Sequence, residues 1–229
     1  MPEGPDKVKA LGDSVKAWVQ SEPLAAFTWM LTLPQPLFEK VKMTSGAAAA
    51  SPNVKAAADL LIQQTSDRPT MMLHGVMIGW AMKDPAAAEA WCTQIRTTRD
   101  FRYVCVFSVA DGLCRKKATD AAAWATTLPQ PDDRNAAIDG TATIWCRGGL
   151  ADATVWIKQL NPTDMKRAAQ SVAASWGLAK VKTDPSLEVW LGQLSLSPAD
   201  KEDVLKGPRP DSFHISKYQP APASAPSKP

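Results

Sequence analysis

Four tryptophans, Trp91, Trp124, Trp156 and Trp190, are separated by 33, 32 and 34 residues, and this regularity constrains the fold more than any other feature of the chain. A fixed period of this length marks one supersecondary unit repeated in tandem, because a single helical hairpin cannot bury its own apolar face and needs a neighbour to do so. A second set, Trp80, Trp145 and Trp176, precedes the first by 11, 11 and 14 residues, and Trp18 with Trp29 repeats the interval of 11. Two tryptophan columns therefore run through the repeats.

Aligned on the first column, "DPAAAEAWCTQI", "KATDAAAWATTL", "LADATVWIKQL" and "TDPSLEVWLGQL" share small or acidic residues, then Trp, then an aliphatic residue four positions later. That spacing is one face of a short helix, called A here. Ser51-Pro52, Asp84-Pro85 and Asp184-Pro185 place a capping oxygen before a proline whose missing N–H costs nothing in a first turn, so helix starts are expected there. Leu33-Pro34, Leu128-Pro129 and Leu160-Asn161-Pro162 then end helix A and allow a helix B to begin. Helices B, such as "PDDRNAAIDGTATIWC" and "PTDMKRAAQSVAASWG", have small residues in the middle and carry Arg134 or Arg167 about ten residues after the preceding Trp. Asn161 with Asp164, and Ser197 with Asp200, read as capping boxes with a shortened acid.

The weakest unit lies near the start. "SPNVKAAADLLIQQ" is an A helix with Leu60 in the Trp place, but "PLFEKVKMTSGAAAAS" predicts only a short B helix followed by an irregular segment over residues 44–50. "YVCVFSV", from Tyr103, is β-branched and strand-like in isolation, yet it occupies a B slot and is expected to be helical. The chain opens on a B-like helix with no A helix before it, which fits either a capping helix or a start inside a longer array. The predicted fold is all-α: a right-handed α-solenoid of about six helix-turn-helix repeats of 31–34 residues over residues 1–206, followed by a disordered Pro/Ala/Ser-rich tail over 207–229. The tail holds six prolines and no helical periodicity, so polyproline II character is expected.

The net charge of +3 narrows the function classes. The tail supplies +2 through Arg209, Lys217 and Lys228 against Asp211, leaving +1 for the body. Such a balance provides no basic stripe for phosphate neutralisation, and no variable polar pair recurs as base-reading repeats require, so no nucleic-acid partner is expected. No apolar run is long enough to span a bilayer and no apolar leader is visible, so no membrane partner is expected and a cytoplasmic location is predicted.

Cys92, Cys105, Cys114 and Cys146 lack C-x-x-C spacing and histidine partners, so neither a metal nor a cofactor is expected, and buried thiols in a reducing compartment are. His74, with Met71 and Met77 three residues away on either side, could offer soft ligands to copper or haem, or form a Met-rich packing surface. The acids Asp132 and Asp133 fall at a helix start, where carboxylates complement the helix dipole. The tryptophans are expected to be interior packing residues, with stacking on a sugar or flavin the alternative.

One polar column points toward function. Three residues after each Trp-equivalent stand Thr32, Gln63, Gln94, Thr127, Gln159 and Gln193. In a stacked array these side chains form a ladder able to hydrogen-bond the backbone of an extended peptide. They could equally satisfy carbonyls at the helix ends or bond to the neighbouring repeat.

The unit length and helix-turn-helix form resemble the tetratricopeptide superfamily, although the Leu-Gly pair and later Tyr of that consensus are missing. "WAMKDPAAAEAW" from Trp80 and "WATTLPQPDDR" from Trp124 are more similar to the WAxxDPxAAxxWxxxLP helical repeats of uncharacterised bacterial proteins. The resemblance covers most of residues 5–206 and implies an α-solenoid, with little about activity. The function expected is a non-enzymatic repeat scaffold that binds a protein or peptide partner through the six-residue column. The alternatives are a structural component of a larger assembly, for which self-association is possible, and an all-α enzyme whose site the motifs do not reveal.

Overall fold

A computed structural model describes residues 5–64, 67–95, 99–176 and 186–206. The expected helix start at Asp184-Pro185 and the tail over 207–229 lie outside the described residues. Helix makes up 86% of the described residues, and no strand occurs among them. The elements are α1 (Pro5–Ser21), α2 (Pro23–Thr32), α3 (Gln35–Val41), a 3-10 helix (Lys42–Ala50), α4 (Val54–Ile62), α5 (Asp67–Lys83), α6 (Pro85–Gln94) and α7 (Arg99–Lys116). They continue as α8 (Ala118–Thr127), α9 (Pro131–Gly148), α10 (Leu150–Ile157), α11 (Pro162–Trp176), α12 (Leu187–Gly192) and α13 (Pro198–Leu205).

Local chemistry sets most boundaries. Asp84 Oδ1 accepts from the Ala87 N–H at 3.1 Å ahead of Pro85, opening α6 as anticipated. Asn161 Oδ1 accepts from the Asp164 N–H at 3.0 Å and Ser197 Oγ from the Asp200 N–H at 3.1 Å, so both N-caps form, while each acid accepts from the cap side chain, Asn161 Nδ2 or Ser197 Oγ at 2.7 Å, instead of from the cap backbone N–H of a full capping box. At Ser51 the expectation is off by a few residues. Its Oγ accepts from the Asn53 N–H at 3.2 Å, forming a local turn, and α4 begins only at Val54. For α12 the cap is Ser186, whose Oγ accepts from the Val189 N–H at 3.4 Å. The irregular segment is the 3-10 helix, and "YVCVFSV" lies inside α7.

The odd-numbered helices contact one another in chain order. α1 packs on the 3-10 helix, which packs on α5; α5 meets α7, α7 meets α9, α9 meets α11 and α11 meets α13. The even-numbered helices lie against the odd-numbered ones that flank them, as α6 does against α5 and α7, and α8 against α7 and α9. A Trp pair closes most hairpins: Trp18 with Trp29, Trp80 with Trp91, Trp145 with Trp156 and Trp176 with Trp190 have ring centroids 5.5, 5.9, 5.8 and 5.5 Å apart. These separations fall in the favourable range for offset or tilted ring pairs. Leu113 stands in the second column ahead of Trp124 and is buried. Indole N–H groups also link even helices: Trp91 Nε1 donates to Asp59 on α4 and Trp190 Nε1 to Thr154 on α10, each at 2.8 Å.

The small residues in the middle of the odd helices permit unusually close backbone approach. A Cβ added at Gly79 would stand 2.5 Å from the Gly46 carbonyl oxygen, at Gly112 2.6 Å from that of Ile78, and at Gly140 2.6 Å from that of Phe107. Real Cβ contacts essentially never fall below 3.0 Å. Each glycine weakens its own helix by about 1 kcal/mol relative to Ala, and the contact between neighbouring helices is what it makes possible.

Candidate functional site

All six residues of the predicted polar column are exposed, at or just beyond the C-terminal ends of successive even helices: Thr32 on α2, Gln63 after α4, Gln94 on α6, Thr127 on α8, Gln159 after α10 and Gln193 after α12. The two threonines bond within their own helices. Thr32 Oγ1 donates to the Trp29 carbonyl and Thr127 Oγ1 to the Trp124 carbonyl, each at 2.8 Å. At Gln159 and Gln193 the backbone N–H bonds the corresponding carbonyl, of Trp156 at 2.9 Å and of Trp190 at 3.0 Å. The glutamine amides there are therefore not needed to satisfy that carbonyl, whereas the threonine hydroxyls are used for it.

A second set of polar residues, which sequence reasoning did not single out, ties the odd helices together. Asp139 on α9 is buried and accepts from Tyr103 on α7 at 2.6 Å, and from Arg167 and Ser171 on α11 at 2.5 and 2.6 Å. Asp111, buried on α7, is held by Arg115 one turn later. The clue in the chain was an acid in the middle of an otherwise apolar or small-residue helix, since a buried carboxylate is retained only when paired and hydrogen-bonded. Asp139 thus joins three helices, α7, α9 and α11, whereas Asp111 is paired within its own helix.

The arginines that follow each Trp by about ten residues also receive a structural account. Arg102 donates to the carbonyls of Cys92 and Ile95 at 3.3 and 3.1 Å at the end of α6, and pairs with Asp133 on α9 at 2.5 Å. Arg134 likewise donates to the Thr126 carbonyl at 2.7 Å and pairs with Asp164 on α11. Asp133 thus neutralises an arginine from the neighbouring hairpin, as well as standing in the first turn of α9.

His74 is not presented as a ligand. Ser108 Oγ donates to the Val104 carbonyl at 2.5 Å, so it must accept from His74 Nδ1, 2.7 Å away. The imidazole packs 6.1 Å from the Phe107 ring, and burial holds its pKa below the usual histidine value. The four cysteines are buried free thiols, and burial pushes Cys114 and Cys146 up to about 12, which leaves them protonated and unreactive. Among the described residues no cluster of three or more His, Cys, Asp or Glu side chains could hold a metal ion. No described helix is long and apolar enough to cross a membrane.

Compared with family models, with curated proteins and with solved structures, the chain matches none.

Proposed function

We propose that this protein is a non-enzymatic α-solenoid scaffold of about six helix-turn-helix repeats that binds a protein or peptide partner along the exposed ends of its even helices. The observation that carries this reading is the column Thr32, Gln63, Gln94, Thr127, Gln159 and Gln193: one solvent-facing polar residue at the same place in each unit. Its glutamine amides stand where the helix-end carbonyl is already bonded by backbone at Gln159 and Gln193. An amide carries both donor and acceptor, matching the alternating groups of an extended backbone. Peptide recognition of this kind takes affinity from main-chain hydrogen bonds.

The test compares the intact chain with a variant in which Gln63, Gln94, Gln159 and Gln193 are replaced by Ala, after both show the same helical circular dichroism. Each is used to capture partners from a lysate of the source cells. A stoichiometric partner held by the intact chain and lost by the variant supports the reading. Identical capture by both forms, or capture by neither, refutes it.

A further inference from the structure

Two of the four free thiols meet across one hairpin. Cys92 lies in the last turn of α6 and Cys105 in the second turn of α7, and both are buried in the core. Arg102 fixes the register between them. It precedes Cys105 by three residues, on the same face of α7, and donates to the Cys92 carbonyl at 3.3 Å. Its guanidinium stands close enough to both sulfurs to feel each of them. Burial first, and then the neighbouring Cys92 thiol, push the Cys105 thiol well above its ordinary value, with the Arg102 charge opposing the rise. The other two thiols are placed differently. Cys114 Sγ lies 4.0 Å from the Thr141 carbonyl oxygen and Cys146 Sγ 3.3 Å from that of Thr143, so each points at backbone.

A buried thiol reacts slowly while its helix stays docked. The two helices are held unequally. Only Ala88, Trp91 and Cys92 are buried along the ten residues of α6, and Cys92 stands two residues from its end. On α7 every residue from Val104 to Cys114 is buried. Segments with few buried contacts open at lower free energy than the core around them. Unravelling the last turn of α6 therefore exposes Cys92 while α7 keeps its place.

We propose that Cys92 and Cys105 form a disulfide that pins the end of α6 to α7 when the chain meets a peroxide. In the opened turn the Cys92 thiolate attacks one peroxide oxygen and the O–O bond breaks. The hydroxide that leaves takes up the proton the thiol gave, and Cys92 becomes a sulfenic acid. As α6 docks again, the Cys105 sulfur attacks the Cys92 sulfur. The S–S bond forms, the S–O bond breaks, and the Cys105 proton leaves with the hydroxyl as a second water. The two sulfurs together lose two electrons, which reduce the peroxide to water. The link closes a ring over residues 92–105 and is independent of whether the polar column binds a peptide.

The test treats the full chain with hydrogen peroxide under native conditions, quenches with catalase, and alkylates the remaining thiols in urea. Mass spectrometry of tryptic peptides then counts the alkylated cysteines and places any bond by fragmentation. The expected result is a fall from the four free thiols to two, fragment ions that join Cys92 to Cys105, and full reversal by dithiothreitol. Cys114→Ser keeps the bond, and Cys92→Ala and Cys105→Ala each lose it. Fragmentation locates the bond in the wild-type chain, so the reading stands even where a variant fails to fold. The proposal is overturned if no bond forms within the chain while circular dichroism stays native, or if the bond involves Cys114 or Cys146. It is also overturned if Cys92 and Cys105 are joined only when peroxide is added in urea.

Discussion

Gly112→Ala adds a methyl group where α7 meets α5. In an open helix this change stabilises by about 1 kcal/mol, because alanine is the better helix former. Here the new Cβ would stand 2.6 Å from the Ile78 carbonyl oxygen and 2.7 Å from the Ala81 Cβ. Neither atom can rotate away, so the helices must separate by several tenths of an ångström along a contact that continues into the α7–α9 interface. Overpacking of a close interior contact costs about 1–3 kcal/mol. With immovable backbone on one side the upper part of that range applies, giving a net loss of about 2 kcal/mol. Gly12→Ala on α1 is the internal control. No described atom outside its own helix lies within 4 Å of that Cβ position, so the same substitution should stabilise by up to about 1 kcal/mol. Urea unfolding followed by far-ultraviolet circular dichroism reads both, provided the m-value is unchanged. A Gly112→Ala midpoint equal to or above wild type would refute the close α5–α7 contact.

Trp156→Ala removes a buried ring stacked 5.8 Å from Trp145, and should cost about 3–5 kcal/mol in the same unfolding assay; unchanged stability would show that the Trp columns are not core. His74 predicts a pH dependence. Burial holds its folded pKa below the ordinary histidine value of about 6.5, so the unfolded chain binds the proton more readily, and stability is full above about 6.5 and falls as pH drops below it. His74→Gln should flatten the decline in urea midpoint between about pH 7 and pH 5.5, a window set by the ordinary histidine pKa. An identical pH profile in the variant would assign the dependence to other groups.

Much of the helix plan was legible in residue order. The Trp period, the prolines after Leu33, Leu128 and Leu160, and the pairs Asn161 with Asp164 and Ser197 with Asp200 are local signals. Each acts within a few residues through missing N–H groups, side-chain capping or helical spacing. The recurrence of Thr32, Gln63, Gln94, Thr127, Gln159 and Gln193 at successive helix ends followed from the same periodicity, but their exposure did not, since a residue three positions after another lies on the same side of a helix and only the packing of neighbours decides whether it is covered. Ser51 misled because a hydroxyl caps a turn as readily as a helix, and the choice depends on how α4 docks.

Other features were decided by tertiary structure. Gly79, Gly112 and Gly140 read locally as helix-weakening residues, and their role emerges only against the carbonyls of Gly46, Ile78 and Phe107 on the preceding odd-row element. Asp139 gathers Tyr103, Arg167 and Ser171 from two neighbouring helices, and Asp133 and Asp164 receive arginines from the preceding repeat. Residue order sets which face of each helix is apolar, because side-chain direction repeats every 3.6 residues. It does not set the distance and register between helices some thirty residues apart, which are fixed when backbone approach, buried charge pairing and ring packing are satisfied together in the assembled row.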